Sequence, residues 1–198
     1  MTEQRTRPTV FALWLILASA IGWWAAFQLT LEKFHVLQDP EALLGCDYSV
    51  IVQCKANLEA WQGSVFGFPN PLIGLAGWIA PLIVGGALLA GARFARWFWA
   101  LFGVGILGAF AFVCWLISQS IFVLGTLCPW CMVTWAVTIP TFFATVIHLF
   151  RNGTLSSSEK VQESAGRLIA WTPVFTLIAF AIIAALAQFR LDLLGFFF

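Results

Sequence analysis

The chain has 198 residues, 61% of them hydrophobic and only 10% charged, with a mean hydropathy of +0.92. So apolar a balance excludes an ordinary soluble domain and points to a polytopic membrane protein. A net charge of +1 with no basic run of useful length excludes a nucleic-acid partner.

Met1 to Pro8 is short and polar and carries Arg5 and Arg7. A first span is predicted over residues 10–30. Ala18-Ser19-Ala20 has the form of a signal-peptidase site, but the apolar run continues through Trp23 and Trp24 to Leu29, which favours an uncleaved span. Residues 32–70 form the only long polar connection and hold Cys46 and Cys54 together with Glu32, Lys33, Asp39, Glu41, Asp47, Lys55 and Glu59. Within it, Asn57 to Phe66 reads as a short helix lying on the membrane, with Trp61 and Phe66 at the interface, where amphipathic rings sit well. Pro71 then suits the first turn of a second span over 71–92. Gly91 to Arg96 is a tight basic turn.

From Trp97 to Phe150 the chain has no Asp, Glu, Lys or Arg, and the run is about twice what one bilayer crossing needs. A helical hairpin is therefore predicted, with spans over 97–123 and 129–150. The break falls at Gly125 to Pro129, because Gly and Pro are turn residues and a Pro just inside a helix start loses no hydrogen bond. Pro140 predicts a kink in the fourth span. Arg151 to Arg167 reads as a polar loop with nothing to pack. A fifth span is predicted over 168–189, followed by a short apolar tail over 190–198. The expected fold is thus an all-α integral membrane protein with five spans in one domain.

Cationic residues set the orientation. Arg5, Arg7, Arg93, Arg96, Arg151, Lys160 and Arg167 fall on one side, and only Lys33, Lys55 and Arg190 on the other. The first set is expected in the cytoplasm, so the N-terminus is cytoplasmic and the C-terminus extracytoplasmic. Both the 32–70 loop and the Cys128 turn then lie outside. Cys46, Cys54, Cys128 and Cys131 form two pairs on the oxidising face of one membrane.

The second pair is Cys128-Pro129-Trp130-Cys131, at the start of the fourth span. A cysteine there faces unpaired backbone N–H groups and the positive end of the helix dipole, which favour the thiolate that carries out exchange. The i, i+3 spacing puts both sulfurs on one face, close enough to form a disulfide. Half of a zinc site is the alternative, but it would need ligands from Cys46, Cys54 or His35 at an unusual spacing, since His148 lies at the cytoplasmic end of its span. Cys46 and Cys54, in a mobile and solvated loop, could be a static staple. Beside a second pair they read better as one half of a thiol–disulfide relay, fed by a soluble thiol protein and emptied into a lipid-soluble acceptor. That acceptor is expected to be a quinone. The second pair is framed by Trp130, Trp135, Phe112, Trp115 and Phe122, and nothing in the chain offers a flavin or a metal a site. Phe112, Trp115 and Trp135 are the candidate quinone contacts, and Trp135, at i+4 from Cys131, shares its helix face. Cys114, about 12 Å below the outer end of the third span by helix rise, is expected to be a buried small hydrophobe.

Cys46-x7-Cys54, then Phe66-Gly67-Phe68-Pro69-Asn70-Pro71-Leu72-Ile73-Gly74, then Cys128-Pro129-Trp130-Cys131 closely resembles the bacterial vitamin K epoxide reductase homologues, especially the actinobacterial type. The likeness runs from the first span through the fourth. It implies a four-helix bundle around a quinone, menaquinone or ubiquinone, with a peripheral fifth helix, in the bacterial cell membrane. It implies that Cys131 reacts with quinone, Cys128 exchanges with Cys54, and Cys46 is attacked by a reduced DsbA-like thioredoxin-fold partner. The short loop helix would cap the pocket, and the outcome would be disulfide formation in exported proteins.

Two departures weigh against epoxide reduction. Animal members carry a Tyr where Trp135 stands and an Asn in the second span, and the stretch from Leu72 to Ala92 has none. Some bacterial members carry a fused thioredoxin domain, so a chain ending at Phe198 is expected to use a separate partner. From another class, a non-enzymatic membrane subunit with structural disulfides remains the rival reading.

Overall fold

The computed structural model describes residues 8–192, 194 and 195. Arg5 and Arg7 of the charge count, and residues 193 and 196–198 of the predicted tail, lie outside the described residues. Among the described residues the architecture is all-helical, with five segments long and apolar enough to cross a membrane: Thr9–Gln38, Pro71–Leu89, Arg96–Leu124, Pro129–Arg151 and Glu159–Leu191. A bilayer leaves no alternative for single segments, since each must satisfy its own backbone hydrogen bonds.

Helix α1 (Thr9–Gln38) is longer than the predicted first span. Its last two turns carry Glu32, Lys33 and His35, which the sequence reading placed in the loop. The helix ends at Asp39, whose extended backbone (φ −138°, ψ 100°) is what a residue before proline requires. The extension has a structural use, because Lys33 Nζ donates to the Leu58 carbonyl at 2.6 Å and ties α1 to the following α2 (Lys55–Glu59). The predicted 57–66 helix is in fact two pieces. Helix α2 stops at Ala60, which is extended, and a 3₁₀ turn covers Trp61–Ser64.

The second span is α3 (Pro71–Gly77) followed by α4 (Ile79–Leu89), interrupted at Trp78. Pro81 accounts for the break: it has no N–H for the Gly77 carbonyl, and its ring crowds that carbonyl. Trp78 packs on α1 at Gly22. A Cβ there would lie 2.1 Å from the indole Cε2, so only glycine admits this approach. Helix α5 (Arg96–Ser118) continues as a π-helical turn, Gln119–Leu124. The hairpin turn falls where predicted. Gly125 adopts φ +69°, and Cys128, extended before Pro129, serves as N-cap of α6 (Pro129–Arg151). Pro140 sits inside α6, and the helix runs unbroken through it. Neighbouring Thr138 and Thr141 hydroxyls donate to the Thr134 and Val137 carbonyls, at 2.8 and 2.6 Å. Thr141 Oγ1 also accepts from Trp14 Nε1 at 3.1 Å, which links α6 to α1.

The predicted polar loop after α6 requires correction. Glu159–Leu168 is a helix, α7, with Ala165 buried, and it leads through a 3₁₀ turn into α8 (Thr172–Leu191). Glu159 in its first turn and Arg167 in its last complement the dipole, and Arg167 pairs with Glu163 one turn back at 2.7 Å. Helices α1, α3–α4, α5 and α6 surround a central cavity. Helix α8 packs outside them, against α6 and the π turn, through Ala187, Phe180, Ile183 and Leu191.

Candidate functional site

Both cysteine pairs meet at one end of the bundle, where α1 and α5 finish and α3 and α6 begin. Cys46 and Cys54 form a disulfide with Cα atoms 5.8 Å apart, while Cys128 and Cys131 are free thiols. The loop pair is not the mobile, solvated one expected from sequence. Cys46 is 2% exposed and Cys54 fully buried, in a cluster with Leu29, Val36, Leu44, Leu58 and Cys128. Two features hold the loop down. Asp47 Oδ1 accepts from the backbone N–H groups of Cys54 (2.7 Å) and Lys55 (3.2 Å), and its Oδ2 accepts from Leu44 (3.3 Å). The loop also pairs with the α5–α6 turn as a short parallel bridge, Leu127 N–H donating to Ile51 O (2.7 Å) and Gln53 N–H to Leu127 O (3.1 Å).

The consequence is a direct sulfur contact. Cys128 Sγ lies 3.4 Å from Cys54 Sγ, and it also accepts from the Cys131 N–H at 3.4 Å, so the N-capping sulfur is the one that faces the loop disulfide. A thiolate at this position would attack Cys54 and release Cys46. Cys131, one turn further on, faces the other way, into a cavity of about 630 Å³. Its walls are overwhelmingly apolar, formed by Ala26 and Leu29 of α1, Trp78 and Val84 of the second span, Phe112 and Leu116 of α5, and Trp135 of α6. Its depth runs along α5 from Gln119 to Phe98, about 30 Å by helix rise and so most of the hydrocarbon thickness.

Of the aromatic residues singled out from sequence, Phe112 and Trp135 line this cavity together with Cys131. Trp115 is not among its lining residues. Its ring stacks on Phe112 at 5.9 Å and tilts against Trp61. Trp130 faces a second cleft of about 420 Å³, bounded by Gln28 and Glu32 of α1 and by Cys46 and Tyr48 of the loop. Phe122 is exposed. The two sulfurs of the loop disulfide therefore open in different directions, Cys46 toward a surface cleft and Cys54 toward Cys128. Cys46 and Cys54, two of the donors named for the zinc alternative, are bonded to each other in this structure. His148 stacks on Phe11 (4.3 Å) beside Trp99 at the far end of the bundle. Cys114 departs from expectation, being exposed on the outer face of α5 rather than buried.

The sequence reading missed the polar residues at the cavity's cysteine end: Asn57, Gln62, Asn70, Gln119 and Ser120 all line it. Asn70 stands just before the second span, outside the asparagine-free stretch 72–92, and holds the cap through Gln62 O (2.6 Å) and Val65 N–H (3.2 Å). The available signal was position: polar amides immediately flanking apolar spans.

A model of the vitamin K epoxide reductase family matches residues 13–146, well over half of the chain, from α1 through most of α6. No curated protein matches the chain.

Proposed function

The chain belongs to the vitamin K epoxide reductase family, and from that premise we propose that it is a quinone-dependent thiol oxidase. Its dithiol substrate is a reduced DsbA-like thioredoxin-fold protein outside the cytoplasm, and the product is that protein's disulfide. The observation that carries this reading is the 3.4 Å contact between Cys128 and Cys54, on a helix whose other cysteine lines the apolar cavity.

Electrons and protons balance in three exchanges. The partner's thiolate attacks Cys46, reached through the cleft beside Trp130, and its second thiol resolves the mixed disulfide, leaving the partner oxidised and Cys46/Cys54 reduced. Cys54 then attacks a Cys128–Cys131 disulfide at Cys128, releasing Cys131. Attack of Cys46 on Cys54 releases Cys128 and restores the loop disulfide. The helix dithiol finally gives two electrons and two protons to a membrane quinone, menaquinone or ubiquinone, which leaves as hydroquinone. A loop disulfide beside two free thiols corresponds to the stage just before that last transfer.

Two observations fit a quinone to the cavity: an apolar slot that runs through most of the hydrocarbon thickness, and a cysteine in its wall. The quinone supplies a two-electron acceptor soluble in the membrane. The chain supplies the cap over its head, the aromatic wall of Phe112 and Trp135, and the exclusion of water by Leu29, Leu58 and Trp78. Charge supports an orientation with the cysteine end outside a bacterial cell membrane: Arg93, Arg96, Arg151, Lys160 and Arg167 lie toward the end away from the cysteines.

The test is reconstitution of the purified chain with a reduced thioredoxin-fold oxidase and a quinone, following hydroquinone by absorbance. Wild type is expected to couple partner oxidation to quinone reduction, and Cys131→Ala to abolish the coupling. Quinone-dependent reoxidation of the partner by Cys131→Ala would refute the relay.

A further inference from the structure

The polar ring at the cavity's cysteine end is almost fully committed. Asn70 is held at both ends of its amide by the cap backbone. Asn57 donates to Thr126 Oγ1 at 2.8 Å and accepts from Ser120 Oγ at 3.2 Å. The hydroxyls of Thr134, Thr138 and Thr141 donate back to carbonyls of their own helix. Gln62 is different. It is 4% exposed, its Nε2 donates to Gln119 Oε1 at 3.3 Å, and its Oε1 is buried without a partner among the described residues. A buried acceptor left without a donor is unfavourable unless a ligand completes it.

We propose that the Gln62–Gln119 amide pair is the head-group contact of this cavity and that it serves both redox states by reversing its own hydrogen bond. This rests on the reading of the cavity as a quinone site. In the arrangement seen here Gln62 presents an acceptor, which matches a hydroquinone O–H. The two ends of an amide have the same shape, so a half-turn of both side chains preserves their contact with the direction reversed. Gln119 Nε2 then donates to Gln62 Oε1, and Gln62 presents Nε2, a donor that matches a quinone carbonyl. No charge moves, and only the oxygen and nitrogen ends of each amide exchange places. Two states of the pair therefore match the two states of the ligand. Gln62 makes the contact, and Gln119, on the π-helical turn of α5, is the positioning residue that keeps either orientation satisfied.

The experiment measures equilibrium binding of a short-tailed quinone and of its hydroquinone to the full chain in detergent, by quenching of tryptophan fluorescence. The infrared C=O band of the bound quinone is recorded alongside. Wild type is expected to bind both forms and to lower the C=O frequency relative to free quinone. Gln62→Leu is expected to weaken both forms about tenfold or more and to return the band toward its free position, since a site built around a hydrogen bond loses most when one partner is removed. Gln119→Leu should weaken both forms by a smaller factor and broaden the band, because the Gln62 amide loses its fixed orientation. Quinone affinity within twofold of wild type and an unshifted band in Gln62→Leu would overturn the proposal. Should that variant not accumulate folded, the same result in Gln119→Leu overturns it equally. If wild type binds no quinone, the reading of the cavity and this inference both fall, whereas binding by wild type that is indifferent to both substitutions removes the inference alone.

Discussion

Replacing Cys46 and Cys131 by Ser in one chain leaves Cys54 and Cys128 as the only thiols at the site and removes both residues that could resolve a bond between them. Their sulfurs start 3.4 Å apart and need to close by about 1.4 Å to reach disulfide length. One sulfur confined within 3.4 Å of the other has a local concentration of about 10 M from volume alone, some 10⁷-fold above a micromolar protein solution. Both side chains are also fully buried, which shields them from thiols of other molecules. Mild oxidation should therefore convert the variant almost completely to an intramolecular Cys54–Cys128 disulfide, with no disulfide dimer. Peptide mapping under non-reducing conditions reads the cross-link directly, and non-reducing gels read the dimer. If Cys54 and Cys128 stay reduced while an exposed cysteine such as Cys114 is oxidised, the contact does not exist in solution and the relay loses its central step.

Three further outcomes follow from the geometry. Gly105 and Gly77 line the cavity, and a Cβ at either meets nothing within 4 Å. Gly105→Phe should accordingly fold normally, yet raise KM several-fold for a long-tailed quinone and less than twofold for a short-tailed one in the coupled assay. Asp47→Ala removes three backbone hydrogen bonds from the loop that carries the disulfide, and should loosen that loop by about 1–3 kcal/mol; limited proteolysis between residues 39 and 53 should accelerate, and the yield of the Cys54–Cys128 cross-link should fall. Gly22→Ala drives a methyl group into Trp78 and should cost about 1–3 kcal/mol of stability, seen as a lowered Tm in detergent, whereas Gly86→Ala, which meets nothing, serves as the neutral comparison.

The amino-acid sequence by itself determined the spans, the hairpin turn and the presence of two cysteine pairs. Hydrocarbon permits few backbone solutions, so length and hydropathy suffice to find helices, and Gly125 and Pro129 mark a turn whose geometry they enforce. The same apolar uniformity hid which face of each helix points inward. Cys114 on the lipid side and Val113 in the core are equally apolar, and in a bilayer no polar stripe distinguishes them. Helix α7 was missed for the opposite reason, being too polar to register as a span and stabilised by end charges and a side-chain pair instead.

Resemblance named Cys54 and Cys128 as exchange partners, but only the tertiary structure brings their sulfurs to 3.4 Å, through the bridge between Ile51–Gln53 and Leu127 and the three hydrogen bonds of Asp47. It alone shows the loop pair as buried, Trp115 one ring removed from the cavity, and Gln62 against Gln119 across 57 residues of chain. Each of these depends on packing between segments distant in sequence, where contact is set by the approach of two helices or loops and not by the pattern along either one.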